Sequence, residues 1–338
     1  MSRKIGIDTI CLRPTPRLAH TEYSMHSHKQ YVEKLGRPLE EAWDFDFNWS
    51  VNDGPIDWSR QGRVTDMGHA VYEADGSDMR PAKRCPFEDV EEVYAFDPVR
   101  EYGIPEHREL VRYFEEWYQR SQAGSPGQVV SGGRYNTVIS GAIAIFGWDM
   151  LLEAAGKDPA RFAKVLERIG EYSIRHAQAW AETSIEVYLQ HDDMVWTAGP
   201  FMDPKFYRGV VFPLYAKMWA PVRNAGKKVL FCSDGTFTMF MDDVAACGAE
   251  GFIFEPTNDL DWVCNKFGRT HCIVGSKSDC RTMAFGTWEQ VKAEMDATFA
   301  LAKKCPGFMW ATGNHIPPNV PDEMCARYID YLRANWSR

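Results

Sequence analysis

From residue 127 onward the chain alternates short apolar runs with longer stretches of helical periodicity. GQVVSGG reads as a buried strand ending in glycines, and Tyr135–Ala155 after it as a helix. Asp158-Pro159 then marks a helix start, an N-cap followed by proline at the first helical position. Phe162, Val165, Ile169, Tyr172, His176 and Trp180 recur every three or four residues, one face of a long helix. Five further apolar runs each end in polar residues. EVYLQ leads into His191-Asp192-Asp193, KKVLF into Cys232-Ser233-Asp234, GFIF into Glu255-Pro256, HCIVG into Ser276–Cys280, and GFMWATG into Asn314-His315. Helices are expected between them over Lys205–Ala225, with a kink or break at Pro213, over Phe237–Cys247 and over Trp288–Lys304. The last opens on a capping box, Thr287 with Gln290.

The first hundred residues are irregular, rich in Pro, Asp and aromatics. They predict a short helix around Ser27–Leu35, a first strand within Trp43–Val51 and a short helix in the segment from Cys85. Pro105–Gln122 then places Leu110, Val111, Phe114, Trp117 and Tyr118 at helical spacing. Short apolar strands alternating with helices imply parallel pairing through crossovers. Polar residues end so many of these strands that a closed barrel is favoured over an open sheet, because barrel sites are built from C-terminal strand ends. The expected fold class is α/β, a (β/α)8 TIM barrel with an irregular N-terminal extension. It forms a single domain over 1–338, with 1–84 as extension and first strand and 85–338 as the main barrel. No GxGxxG follows a strand and no Walker A sequence occurs, so two nucleotide-binding alternatives lack their signature.

Composition narrows the function. A formal charge of −9 disfavours a nucleic-acid surface, and also a polyanionic substrate unless basic residues cluster locally. Neither a secretory leader nor a run of about 18 apolar residues is evident, so a cytoplasmic protein that crosses no membrane is expected. The nine cysteines include no CxxC pair, so free thiols or metal ligands are expected in place of disulfides. Twelve tryptophans supply core area, with a surplus that would suit a pocket for a planar ligand.

The strand ends collect His191, Asp192, Asp193, Cys232, Asp234, Glu255, Asp279, Cys280 and His315. Carboxylates brought together without basic partners raise one another's pKa or call for a cation. Cys, Glu and His together are zinc ligands of catalytic type when a position stays open. Several of these acids also suit helix caps: Asp193 and Asp259 are candidates, and Asp203 before Pro204 is the clearest.

FCSDG, GFIFEP, SDCR followed by FGTWEQVKAEM, and GNHIPPNVP, in that order, resemble successive motifs of the uroporphyrinogen decarboxylase superfamily; HDDM and GPFMDPKFYRGVVFPLY resemble its middle portion. The resemblance spans roughly residues 85–335. It implies either a porphyrinogen decarboxylase or a methyltransferase serving corrinoid proteins. The decarboxylases grip a polycarboxylate with an arginine-bearing N-terminal motif. Here Arg13, Arg17 and Arg37 are isolated, which favours the methyltransferase branch. In the family's zinc enzymes a His-x-Cys-Gly segment follows the fifth strand and a last Cys precedes an Ile-Pro-Pro-like stretch. Cys232 and Asp234 stand at the first two of those ligand positions, and Asn314 at the third with His315 beside it.

The resulting expectation is the methyltransferase component of an O-demethylase. It would move a methyl group from a methoxylated, aromatic small molecule to a Co(I) corrinoid carried by a partner protein. Zinc on Cys232, Glu255 and His315 would assist the leaving oxygen, or else a proton from His191 or a protonated Asp, with Asp192 and Asp234 counted among the catalytic candidates. Asp279 is expected to bind substrate, and a homodimer is left open. The alternative enzyme is a decarboxylase of a porphyrinogen or other carboxylated heteroaromatic. A non-catalytic barrel that binds a corrinoid protein is the alternative of a different class.

Overall fold

The computed structural model describes residues 1–25, 28–65 and 85–338. Seven parallel strands pair in one sheet: β1 (Ala19–His20), β4 (Gly132–Arg134), β5 (Val187–His191), β6 (Lys228–Ser233), β7 (Gly251–Phe254), β8 (Cys272–Gly275) and β9 (Phe308–Trp310), in the order β1-β9-β8-β7-β6-β5-β4. A second parallel pair joins β2 (Phe47–Asn48) to β3 (Val129–Val130). The two sheets are one barrel. Only Ser131 separates β3 from β4, and on the other side the Asp46 amide donates to the His20 carbonyl at 2.7 Å. Counting β3 and β4 as one strand gives eight around the ring.

At Gly133, with φ +143°, a Cβ would lie 1.8 Å from the Leu189 carbonyl oxygen, so β4 approaches β5 more closely than any side chain permits.

Strand parity builds the interior. Val187 and Leu189, Leu230 and Cys232, Ile253, Val274 and Met309 share a cluster inside the barrel, closed below by Ile10 of the helix Arg3–Ile10. The intervening Tyr188, Val229, Phe231, Phe252, Phe254 and Ile273 pack outward against the helices. Both faces are therefore apolar, which is why these strands read as continuous hydrophobic runs.

The expected first strand at Trp43–Val51 is the second, β2. The first is β1, only two residues long and set between polar segments, so it carries no periodic signal. The supposed N-terminal extension thus supplies two barrel strands and the plug beneath them. The early helix runs Lys29–Lys34; Ser27, where it was expected to begin, lies outside the described residues.

Other boundaries follow local chemistry. Asp158 accepts from the Arg161 amide and Pro159 opens the helix Pro159–Ala181. The Thr287–Gln290 capping box is formed. Pro213 does not break its helix but sits in the first turn of Phe212–Asn224, after a π-helical turn at Tyr207–Val211. Among the described residues one helix, Ile139–Lys157, is long and apolar enough to cross a membrane by length and composition, although it contains no unbroken apolar run of that length. It is kinked at Gly147 and largely buried, and it packs on Pro159–Ala181, as a core helix does.

Candidate active site

The parity that fills the barrel also builds its mouth. Following the inward positions to the strand ends gives His191 as the last residue of β5, Asp234 just after β6 and Glu255 just after β7. Asp192 takes the outward step. Its carboxylate accepts from the backbone amides of Val138, Ile139 and Ser140 at 3.2, 3.2 and 2.5 Å and from the Tyr215 hydroxyl at 2.6 Å. It anchors the start of the helix Ile139–Lys157 and does not join the mouth, which corrects its expected catalytic role. Asp193 turns back inward.

Asp193 is the hub of what the mouth brings together. One carboxylate oxygen lies 3.1 Å from His191 Nε2 and accepts from the Asp234 amide at 2.9 Å; the other accepts from the Tyr135 hydroxyl at 2.8 Å. Ser140 Oγ in turn accepts from the Asp193 amide at 2.7 Å. One ligand atom each from His191, Asp193 and Asp234 lies within 4.8 Å of the others. Asp193, a strand-end residue that also suited a helix cap, joins this cluster. Asp203 and Asp259 are caps, accepting from the Lys205 and Trp262 amides.

Electrostatics divides the three. Burial opposes ionisation of Asp193, but the His191 charge and the hydrogen bonds from His191, the Asp234 amide and Tyr135 outweigh it, and its pKa falls below the usual carboxylate range. Burial likewise opposes charging His191, yet Cys232 and Asp193 lift its pKa well above that of free histidine. Because burial also raises the Cys232 thiol, keeping it neutral, the standing charge that holds His191 protonated is that of Asp193. Burial, then the Asp193 charge, push Asp234 far above the carboxylate range, with His191 opposing and Glu255 adding. These influences favour an Asp193–His191 ion pair next to a carboxyl, Asp234, that retains its proton.

Other expected site residues are placed differently. Cys232 faces inward one layer below Asp234, hydrogen-bonded to His191. Glu255 accepts from the Gly235 amide and from Asn314 Nδ2, both at 2.6 Å. His315 packs edge-on against Tyr23, with centroids 4.5 Å apart. Asp279 caps the helix Cys280–Phe285 and pairs with Arg281, so the helix terminus and the guanidinium occupy the carboxylate expected to meet substrate. Tyr23 and Tyr135 were not anticipated. Both pack edge-on against His191, at 6.1 and 4.5 Å. Tyr135 follows GGR at the end of β4, so the strand-end rule could have found it. Tyr23 follows β1, which gave no signal.

A histidine with two carboxylates is a donor set that zinc accepts. Tetrahedral ligands at zinc distances sit roughly 3.3 Å apart, and here one ligand atom of each residue lies within 4.8 Å of the others. A carboxyl driven neutral by a neighbouring carboxylate is the arrangement that a cation relieves. The residues therefore fit the ion, as His191, Asp193 and Asp234 in place of the expected Cys232, Glu255 and His315.

The sequence pattern of the family described as Uroporphyrinogen decarboxylase (URO-D) matches residues 65–334. Among solved structures, a methyltransferase from Methanosarcina mazei superposes with a TM-score of 0.67 at 15% identity, covering 98% of this chain and 97% of that one. At that identity the likeness is one of fold. An uncharacterized protein aligns over 73% of this chain and 65% of its own at 12% identity, with a TM-score of 0.31. No curated protein matches the sequence.

Proposed function

The chain belongs to the uroporphyrinogen decarboxylase (URO-D) family, and within it we propose that this protein is a methyltransferase acting on a methoxylated, aromatic compound. The methyl group passes to a corrinoid carried by a partner protein. The observation that carries this reading is the juxtaposition of His191, Asp193 and Asp234 at the barrel mouth, one ligand atom of each within 4.8 Å of the others, where burial and the Asp193 charge favour the proton on Asp234. Two like groups driven to opposite protonation states divide acid from base work.

Breaking the methyl–oxygen bond leaves its electron pair on an alkoxide or phenoxide, a poor leaving group until it is protonated. Asp234 holds a proton for that oxygen. Asp193 keeps His191 charged and in place, and Tyr135 and the Asp234 amide fix Asp193. A partner-borne Co(I) corrinoid supplies the nucleophile that takes the methyl group. Zinc bound by His191, Asp193 and Asp234 would instead take the place of those protons, since its ligands are a neutral imidazole and ionised carboxylates, and would supply Lewis acidity to the same oxygen.

Two further observations support this branch over decarboxylation. The mouth collects Asp193, Asp234 and Glu255, an unfavourable lining for a substrate with many carboxylates. The Methanosarcina mazei fold neighbour is named as a methyltransferase. As part of this reading we place the protein in the cytoplasm, with a homodimer left open. The test supplies a reduced corrinoid protein and follows its absorbance across a panel of methoxylated aromatics. Enzyme-dependent and donor-dependent methylation of the corrinoid supports the reading. Release of carbon dioxide from a porphyrinogen without corrinoid overturns it.

A further inference from the structure

A cavity of about 530 Å³ adjoins the candidate site, with Tyr23 and His315 among its walls. Those two rings connect it to the mouth, since Tyr23 also packs against His191. Phe45, Phe47 and Trp49 add aromatic wall, and Tyr23 meets Trp49 edge-on at 4.8 Å. The carboxylates lining it are Glu22 and Glu40, and among the described residues no Lys or Arg does so.

The two carboxylates differ. Glu22 is buried and committed, accepting from Thr312 N and Oγ1 at 2.7 Å each and from the Tyr328 hydroxyl at 2.8 Å. Glu40, on the short helix Leu39–Ala42, is half-buried, and among the described residues no hydrogen bond or ion pair engages its carboxylate. A cavity of this size takes a small molecule. Ring faces attract positive charge, and a half-buried carboxylate without a partner favours a cation over a neutral group and repels an anion.

We propose that this cavity seats the end of the methyl donor remote from the reacting methyl, and that this end bears a protonated amine. The identity of the ligand as methyl donor rests on the methyl-transfer reading; the recognition of an organic cation does not. Calorimetry on the full chain tests it with three compounds that share one aryl methyl ether and carry an amine, a hydroxyl or a carboxylate arm. Phenylethylammonium, which has no methoxy group, is the fourth probe.

The amine compound is expected to bind about tenfold tighter than the hydroxyl compound, with the carboxylate compound weakest. Glu40→Gln should narrow the amine-to-hydroxyl ratio to about twofold or less, and Glu40→Lys should turn the preference toward the carboxylate. A carboxylate compound that binds wild type as tightly as the amine, or a ratio that survives Glu40→Gln, overturns the proposal. Glu40-dependent binding of phenylethylammonium with no demethylation of any ether keeps the cation site and removes the methoxy-donor reading. Demethylation without binding of either ammonium compound does the reverse.

Discussion

Replacing Asp193 by Asn removes the negative partner of His191 while keeping the side chain's size. Its carboxylate holds three hydrogen bonds, from His191 at 3.1 Å, Tyr135 at 2.8 Å and the Asp234 amide at 2.9 Å. Stranding one charge of a buried pair costs about 3–5 kcal/mol. His191 has an escape. Without the carboxylate, burial dominates and the imidazole sheds its proton, so near pH 8 the loss should shrink to about 2 kcal/mol, the worth of charge-assisted hydrogen bonds.

The pH dependence then separates an ion pair from a neutral contact. In wild type the folded-state pKa of His191 is raised. Its stabilisation is fully present below the unfolded value of about 6.5 and is lost as pH rises through the raised value. In the variant the folded value falls below the unfolded one, and stability is lost as pH drops below about 6.5. Between the two folded values the variant's deficit should grow toward acid by up to about 1.4 kcal/mol per pH unit. Urea unfolding of chelator-treated protein between about pH 8 and about pH 5.5 measures it. A deficit that stays constant over that range refutes the Asp193–His191 ion pair.

Elemental analysis of protein purified without chelator should find zinc that His191→Ala and Asp234→Asn lose and that His315→Ala retains; loss only in Cys232→Ala would restore the thiolate assignment. Asp192→Ala should cost about 2–4 kcal/mol by orphaning three backbone amides and the Tyr215 hydroxyl, read as a lowered urea midpoint. Thr287→Ala should cost about 1 kcal/mol through its cap and leave methyl transfer unchanged. In metal-free protein, transfer should decline as pH rises through the raised Asp234 value, because the acid form is then lost.

The barrel was legible where strands are buried on both faces, since GFIF and KKVLF carry enough apolar residues to stand out against polar strand ends. It was illegible at β1, whose two residues join the ring through Met309 and Trp310, partners some 290 residues away. A pairing of that range leaves no local periodicity. The mouth was legible in part: His191, Asp193, Asp234 and Glu255 stand at strand ends that the sequence marks, while Tyr23 and Tyr135 were not anticipated. HDD offers three polar residues in a row, and only strand parity tells that Asp192 turns out to a helix start while His191 faces in. Asp193 lies past the strand, where parity lapses and the loop decides. Which carboxyl keeps its proton depends on burial and on the spacing of Asp193 and Asp234, 41 positions apart in the chain.

The most direct measurement is single-turnover methyl transfer by metal-free protein with a reduced corrinoid protein and an accepted methoxylated donor, comparing wild type with Asp234→Asn. The corrinoid absorbance reports the chemical step, and calorimetry reports donor affinity separately. Asp234→Asn is expected to slow transfer by about a hundredfold or more while donor affinity stays within about threefold. Transfer at the wild-type rate in Asp234→Asn would contradict the assignment of Asp234 to the leaving oxygen.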